Sequence, residues 1–390
     1  MMRLTLVISS LQCGGAERVM TNMANYWAAK QWKITLLTFD DGAIPPFYRL
    51  DSRIRHISLN IAGDSASVAS AVRNVVNRVC ALRRTIRKSR PDAVISFMDK
   101  TNVTTLLATR GLNLPVIISE RVDPAMRPIS KLWTRLCRIT YPAADLTVVQ
   151  SEAALNYFSA RLRARTQVIP NPVQSPPAYR RPKSAAQSSL ISVGRLEQQK
   201  GFDLLLKAFA RVKDRHSGWT LTILGEGRER GELESLINQL GIGDRALLPG
   251  RVDDVYEQLL QADLFVMPSR YEGFPNALCE AMSCGLPAIS TDCPSGPRFI
   301  INDRVDGLLV PNEDVTALAD AMDRLMGSET ERNRLAARAP EIASRFGLEK
   351  VMEIWERALA QVIRHRRTDP IESHQLLASK SKHQVRVEHS

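Results

Sequence analysis

The chain has 390 residues, 44% of them apolar and 24% charged, the balance of a soluble globular protein rather than a disordered, collagenous or disulfide-stapled one. At roughly 100–200 residues per domain, two domains are expected. Lys and Arg outnumber Asp and Glu by 53 to 41, a formal net charge of +12, and the excess is one-sided: residues 1–185 hold 27 basic and 11 acidic groups, residues 186–365 hold 21 and 27. Charge speaks to partners more than to fold, so the first half is expected to face something anionic: nucleic acid, a membrane surface or a polyanionic substrate.

Met1–Leu11 is apolar with a single Arg3, a faint signal-peptide pattern, but it runs straight into Gly14-Gly15-Ala16-Glu17-Arg18, which reads as a working loop and not a cleavage site. The cysteines at 13, 80, 137, 279, 284 and 293 show neither C-x-x-C spacing nor a His partner, so no zinc site, redox pair or disulfide framework is expected. No run approaches 18 apolar residues, so no spanning helix is expected. The expectation is a soluble cytoplasmic protein associated with a surface.

In the first half, strands are predicted near Leu4–Ser9, Lys33–Phe39, Ala93–Phe97, Val116–Ser119, Leu146–Val149 and Gln167–Ile169. Such near-continuous apolar runs suit strands covered on both faces. Between them, Val72–Arg90 reads as a helix with Val72, Val75, Val76, Val79, Leu82 and Ile86 as its buried stripe. Lys131–Tyr141 reads as another, with Leu132, Trp133, Leu136 and Ile139 on one side and Arg127, Lys131, Arg135 and Arg138 as a basic strip on another. Prolines 170, 172, 176, 177 and 182 mark a linker. Strands then resume near Leu190–Val193, Thr220–Leu224, Ala246–Leu248, Leu264–Met267, Ala288–Ser290 and Leu308–Val310. A last amphipathic helix covers about Leu348–Ile363, and the polar tail beyond is expected to be disordered. The expected division is therefore 1–170, a linker at 171–189, a second domain at 190–345, a C-terminal helix at 346–365 and a tail at 366–390. Two βα runs of similar length imply an α/β protein with two doubly wound domains facing a cleft, and the chemistry belongs in the loops after the strands.

The densest such loop is Pro268-Ser269-Arg270-Tyr271-Glu272-Gly273-Phe274-Pro275-Asn276-Ala277-Leu278-Cys279-Glu280. Gly273 and Pro275 make a turn, Asn276 is expected to cap a helix starting at Ala277, and Glu280 is expected in that helix's first turn. A helix N-terminus behind a glycine turn offers free amides to phosphate or sugar oxygens. Carboxylates at Glu272 and Glu280 suit hydroxyl pairs of two different sugars.

This segment resembles the E-x7-E signature of retaining glycosyltransferases of the GT-B architecture, with two Rossmann-like domains, in the large family 4 type. The resemblance spans roughly residues 1–365 and is closest to bacterial enzymes that extend lipid-linked glycans or exopolysaccharides, N-acetylgalactosaminyl and galactosyl transferases among them. It implies that Glu272 meets the donor sugar, that Glu280 meets the nucleotide ribose, and that backbone amides of Gly273, Phe274, Pro275 and Asn276 meet the sugar or diphosphate. Gly194-Arg195-Leu196-Glu197-Gln198-Gln199-Lys200 agrees with it: Arg195 and Lys200 are two fixed cations, which a departing diphosphate needs. The Gly14 and Gly15 loop would approach donor phosphate, and backbone at Arg251 and Val252 would read the base. With Arg195 and Lys200 supplying charge and no D-x-D pair at a strand end, no metal and no cofactor beyond the UDP-sugar donor are expected.

For the acceptor, Ser119-Glu120-Arg121 ends a strand; Glu120 and Arg121 are equally readable as hydroxyl or phosphate ligands and as a structural ion pair. Asp99, Lys100 and Asn102 are expected in another strand-end loop. The basic strip beside Trp133 has the composition of an interfacial helix at an anionic membrane, and clustered arginines also suit a polyprenyl-diphosphate-linked glycan. The expected function is thus retaining transfer of a hexose or N-acetylhexosamine from a UDP-sugar to such a glycan at the inner face of the cytoplasmic membrane. Two rivals are a UDP-sugar epimerase of the same architecture, which needs further acid–base groups around the sugar, and a nucleic-acid-binding protein. The second would interleave aromatic and basic residues for stacking, which this sequence does not do.

Overall fold

The computed structural model describes residues 1–62, 68–121, 130–176 and 188–368. They form two compact units: Met1–Pro170 with the segment from Val351 onward, and Asn171–Lys350.

The first unit is a seven-stranded parallel sheet. Its strands are β1 (Arg3–Ile8), β2 (Lys33–Thr38), β3 (Arg55–Ser58), β4 (Ala93–Phe97), β5 (Val116–Ser119), β6 (Leu146–Val149) and β7 (Thr166–Val168), in the order β3-β2-β1-β4-β5-β6-β7. β4 and β5 are buried at every position, as strands covered by helices on both faces must be. β3 has no counterpart among the predicted strands: Arg55-His56-Ile57-Ser58 is a half-exposed edge with no apolar run. The helix Gly15–Ala29 buries Val19, Met20, Met23, Ala24, Trp27 and Ala28, the three-and-four spacing of one helical face.

Phase, rather than existence, is what two helical expectations miss. In the helix Val68–Ser89, Leu82 and Ile86 are buried and Val79 packs against the core, but Val76 is 53% exposed. It lies about 100° round from Val75, off the face that meets the sheet. In the helix Lys131–Thr140, Trp133, Leu136 and Cys137 pack inward, while Leu132 and Ile139 stand 66% and 64% exposed beside exposed Lys131, Arg135 and Arg138. Arg127 lies outside the described residues. Asp99, Lys100 and Asn102 belong to the helix Asp99–Thr109 and not to a loop; the turn from β4 is a single residue, Met98, at φ 77°. The C-terminal helix Leu348–Thr368 extends beyond the position where the tail was expected to lose order, and Arg366 bonds Asp145 at 2.6 Å. Trp355 on this helix is fully buried and stacks at a tilt on Phe97, ring centroids 6.4 Å apart. Tail residues from 369 on lie outside the described residues.

The second unit is a six-stranded parallel sheet of β8 (Ser188–Val193), β9 (Trp219–Leu224), β10 (Ala246–Gly250), β11 (Leu264–Met267), β12 (Ala288–Thr291) and β13 (Leu308–Val310), in the order β10-β9-β8-β11-β12-β13. Pro249 is tolerated because β10 is an edge strand whose register shifts between Leu247 and Gly250. This core gathers Phe202, Leu205, Phe209 and Met322 from helices over one face of the sheet, where Leu221, Val266 and Ile289 point by strand alternation. Ser188 and Ser189, expected in the linker, are the first residues of β8. The early linker residues are built into this unit: Asn171 is buried, and Val173 bridges Gly347. Linker residues 177–187 lie outside the described residues.

In both sheets the first three strands run outward to one side and the chain then crosses to the other, so the order reverses between β1 and β4 and between β8 and β11. A reversal leaves a crevice at the carboxyl ends of the two flanking strands, because their following loops diverge to opposite faces. In the second unit those two loops are Gly194–Gly201 and Pro268–Pro275.

Candidate active site

The loop after β8 folds as a short turn, Gln198–Lys200, closed by Gly201 at φ 65°. A side chain is impossible at Gly201, since its Cβ would fall on the Pro268 carbonyl oxygen. That close approach lays the loop against the one after β11. There, Lys200 Nζ donates to Glu272 Oε1 at 2.6 Å, and Ser269 Oγ donates to the same oxygen at 2.7 Å. Glu272 is 5% exposed, so a carboxylate that burial would otherwise disfavour is held by one cation and one hydroxyl. Ser269 is in turn fixed by Thr291 Oγ1, which donates to its carbonyl at 2.5 Å. Glu272 N donates to Pro294 O at 3.4 Å.

The structure thus joins Lys200 and Glu272, which the sequence assigned to diphosphate and sugar separately. Arg195 is placed differently: its side chain is 56% exposed and pairs with Glu197 at 3.2 Å. Glu280 is buried in the second turn of the helix Asn276–Ser283, not in its first. Asn276 is the first helical residue and not the cap. Pro275 occupies the cap position, and Asn276 Oδ1 accepts from Asn171 Nδ2 at 2.7 Å. Phe274 turns inward, edge-on to Phe346 with centroids 5.6 Å apart, so only the backbone of Gly273–Pro275 remains for a ligand. Arg251 and Val252 follow the end of β10 at the surface.

Sequence reasoning missed three parts of this wall. Ser269 stood inside the quoted motif, and its spacing three residues before Glu272 was the available signal. Thr291 ends β12 and Gly296 lies in the loop after it, and neither carried a local pattern. Gly296, at φ 107°, packs where a Cβ would meet Pro275 Cδ at 2.9 Å and Gly273 O at 3.2 Å.

In the first unit, Gly14 caps the helix Gly15–Ala29 in extended conformation, with Gly15 as its first residue. The Glu17 side chain folds back over Gly14, where a Cβ would meet its carboxylate. Glu120 and Arg121 follow β5, each 8% exposed. Glu120 accepts from the Tyr141 hydroxyl and from Asn102 Nδ2 at 3.5 Å, and burial followed by the Glu120 charge raises the Tyr141 phenol well above its ordinary value. The Arg121 guanidinium lies 4.2 Å from the Phe97 ring centroid and donates to Ser119 Oγ, and burial lowers its pKa to about 9.

No disulfide joins any of the six cysteines. Burial raises the Cys293 thiol to about 12 and the Cys137 thiol to about 11, which leaves both protonated at neutral pH and weak as nucleophiles. Among the described residues, no three His, Cys, Asp or Glu side chains gather as a metal centre would require, and no helix is long and apolar enough to cross a membrane.

Residues 13–175 match the Glycosyltransferase Family 4 model, and residues 180–342 match Glycosyl transferases group 1. A Campylobacter jejuni protein named GalNAc-alpha-(1->4)-GalNAc-alpha-(1->3)-diNAcBac-PP-undecaprenol alpha-1,4-N-acetyl-D-galactosaminyltransferase is 31% identical over 366 residues, covering 93% of this chain and 99% of the relative. Among solved structures, the sucrose-phosphate synthase of Thermosynechococcus elongatus superposes with TM-score 0.80 at 19% identity, over 94% of this chain and 100% of that one. HepE of Anabaena in complex with UDP gives 0.75 at 19%, over 93% and 100%. The chain therefore belongs to the glycosyltransferases of the family 4 and group 1 type, with the two Rossmann-like units of the GT-B fold.

Proposed function

We propose that this glycosyltransferase moves a hexose or N-acetylhexosamine from a UDP-sugar to a glycan carried on polyprenyl diphosphate, with retention of anomeric configuration, at the inner face of the cytoplasmic membrane. The observation that carries the reading is the Lys200–Glu272–Ser269 cluster at the strand-order reversal of the second unit. Both donors converge on Oε1, so Oε2 is the oxygen offered to a hydroxyl of the donor sugar. Lys200 keeps further N–H donors for the diphosphate, and Arg195 swings from Glu197 to join it as charge builds on the leaving oxygen. These two cations do the work that a divalent ion does elsewhere, and turnover is expected to be metal-independent. Glu280 faces the ribose and backbone at Arg251 and Val252 faces the base; UDP in the HepE complex supports a uridine donor.

Glu272, held by a cation and a hydroxyl, is a poor covalent nucleophile. The departing diphosphate is therefore the group that takes the acceptor's proton, and attack comes on the face it leaves. The name of the Campylobacter jejuni relative supports an undecaprenyl-diphosphate acceptor. Gly14 and Gly15 would approach the donor phosphates, and Glu120 and Arg121 would meet the acceptor. The exposed face of the helix Lys131–Thr140, with Leu132 and Ile139 beside Lys131, Arg135 and Arg138, has the composition of a face that rests on an anionic leaflet, with Arg127 nearby in sequence.

A panel of UDP-sugars, incubated with lipid-linked glycans and read by mass spectrometry and anomeric NMR, tests the reading. One UDP-sugar should give an α-linked product at the same rate with and without chelator. A UDP-sugar altered without any acceptor would make the protein an epimerase, an inverted product would remove the retaining mechanism, and chelator-sensitive turnover would remove the metal-free one.

A further inference from the structure

The pairing of Lys200 with Glu272, 72 residues apart in sequence, depends on the two loops that carry them keeping a fixed register. The side chain and backbone of Arg270 make most of the bonds that hold it. Arg270 Nη1 donates to Gln198 O at 2.8 Å and to Asp203 Oδ1 at 2.8 Å, and Nη2 donates to Asp203 Oδ2 at 2.9 Å. Arg270 N donates to Gln199 O at 2.8 Å, so the loops are also stitched through the backbone. Gln199 Nε2 returns a bond to Tyr271 O at 2.9 Å, and Asn312 Nδ2 donates to Arg270 O at 3.1 Å. The residues bonded in this way, 198, 199 and 203, bracket Lys200, and those holding them, 270 and 271, immediately precede Glu272.

The guanidinium is 18% exposed and Asp203 28%, so the pair is shielded enough for its geometry to matter. Burial pushes the Asp203 carboxyl up, and the Arg270 bonds and charge, helped by Lys207 and the Leu204 amide, outweigh it and leave it below the usual carboxylate range. A fork is needed here because two guanidinium nitrogens meet three acceptors, a carbonyl and two carboxylate oxygens. An ammonium keeps the charge but cannot span them.

We infer that Arg270 is a positioning residue for transfer: gripping Gln198 and Asp203, it sets the distance at which Lys200 presents its cation to the donor diphosphate. The inference rests on the donor-site reading of Lys200 and Glu272. Since Arg270 acts through Lys200, its loss should matter only where Lys200 is present.

The test is a double-mutant cycle of Arg270→Lys and Lys200→Ala, read as kcat/KM for the UDP-sugar, KM for the acceptor, and UDP affinity by calorimetry, with thermal unfolding of each variant alongside. Arg270→Lys should lower kcat/KM for donor and UDP affinity at least about fivefold and leave acceptor KM unchanged. In the Lys200→Ala background the same change should cost less than about twofold. Equal losses in both backgrounds, or wild-type kinetics in Arg270→Lys, overturn the assignment. Should Arg270→Lys fail to fold, Asp203→Asn, which keeps the shape and removes one charge, is expected to show the same dependence on Lys200, and independence overturns the assignment equally. A wild-type protein with no UDP-sugar turnover and no UDP binding would take the donor reading down and the Arg270 role with it. A wild type that turns over, with an impaired Lys200→Ala and additive Arg270→Lys, leaves the donor reading standing and removes the Arg270 role alone.

Discussion

The two units carry one sheet plan and two kinds of strand-end chemistry. In the second unit, with 22 basic and 25 acidic groups, the loops at the reversal bring a cation and a carboxylate into direct contact and are kept close by glycines whose Cβ positions are occupied by neighbouring backbone. In the first unit, with 31 basic and 16 acidic groups, the loop after β5 holds an acid against a phenol and a guanidinium against a phenyl ring, both buried. Its excess charge is displayed on helices, and part of it is structural: Arg83 Nη1 donates to the carbonyls of Ala108 and Arg110, and Arg78 Nε to that of Ile61. A shared scaffold therefore says where ligands bind and little about what they are; the loops decide that.

If the units are separate cores, truncating each should weaken only its own. Trp355→Ala and Phe209→Ala, both fully buried, should each cost about 3–5 kcal/mol. Hydrogen exchange should show protection lost in the strands of one sheet and retained in the other; loss across both sheets would break the division.

Glycine substitution sharpens the contrast in loop tightness. Gly225, at φ 145°, would place a Cβ on the Gly194 carbonyl oxygen, whereas Gly111 of the first unit, at φ 73°, has nothing within 4 Å. Gly225→Ala should cost about 2–3 kcal/mol and depress turnover, and Gly111→Ala about 1 kcal/mol with turnover intact. Equal effects in urea titrations would show that backbone strain alone matters.

Donor and acceptor chemistry should separate in the same way. Lys200→Ala and Glu272→Ala should each lower kcat/KM at least about tenfold with weaker UDP affinity. Glu120→Gln should instead raise acceptor KM and leave UDP affinity alone. A fall in UDP affinity in the Glu120 variant would merge the two roles.

The smallest expected effect is on the basic face. Neutralising Lys131, Arg135 and Arg138 together with Arg127 should weaken sedimentation with anionic liposomes, each side chain contributing about 1 kcal/mol, while UDP affinity holds. Unchanged sedimentation would make that helix a packing element only.

What could be read from the residues follows the same physics. The central strands of both sheets announce themselves because burial on two faces favours near-continuous apolar runs broken only by small hydroxyl residues such as Thr5, Ser96 and Ser290, and β3 does not because an edge strand of Arg55, His56 and Ser58 is under no such constraint. Helices were legible and their rotation was not, since Val76, Leu132 and Ile139 differ from their buried neighbours only in angle, and the angle is set by which sheet face they meet. Lys200 and Glu272 were each recognisable in their own motif; their contact was not, because it is made by a turn, a glycine approach and the Arg270 clamp, none of which has a period or a spacing.

The bridge between Val173 and Gly347, with Val173 N bonded to Phe346 O at 2.8 Å, brings the chain side by side within a few residues of both ends of the second unit. Chain ends that meet at such a point need only a short tether to be closed. The stretch 171–350 is accordingly suited to excision as a free-standing unit, in which UDP binding can be measured alone, or to circular permutation with new termini opened in an exposed loop far from Lys200.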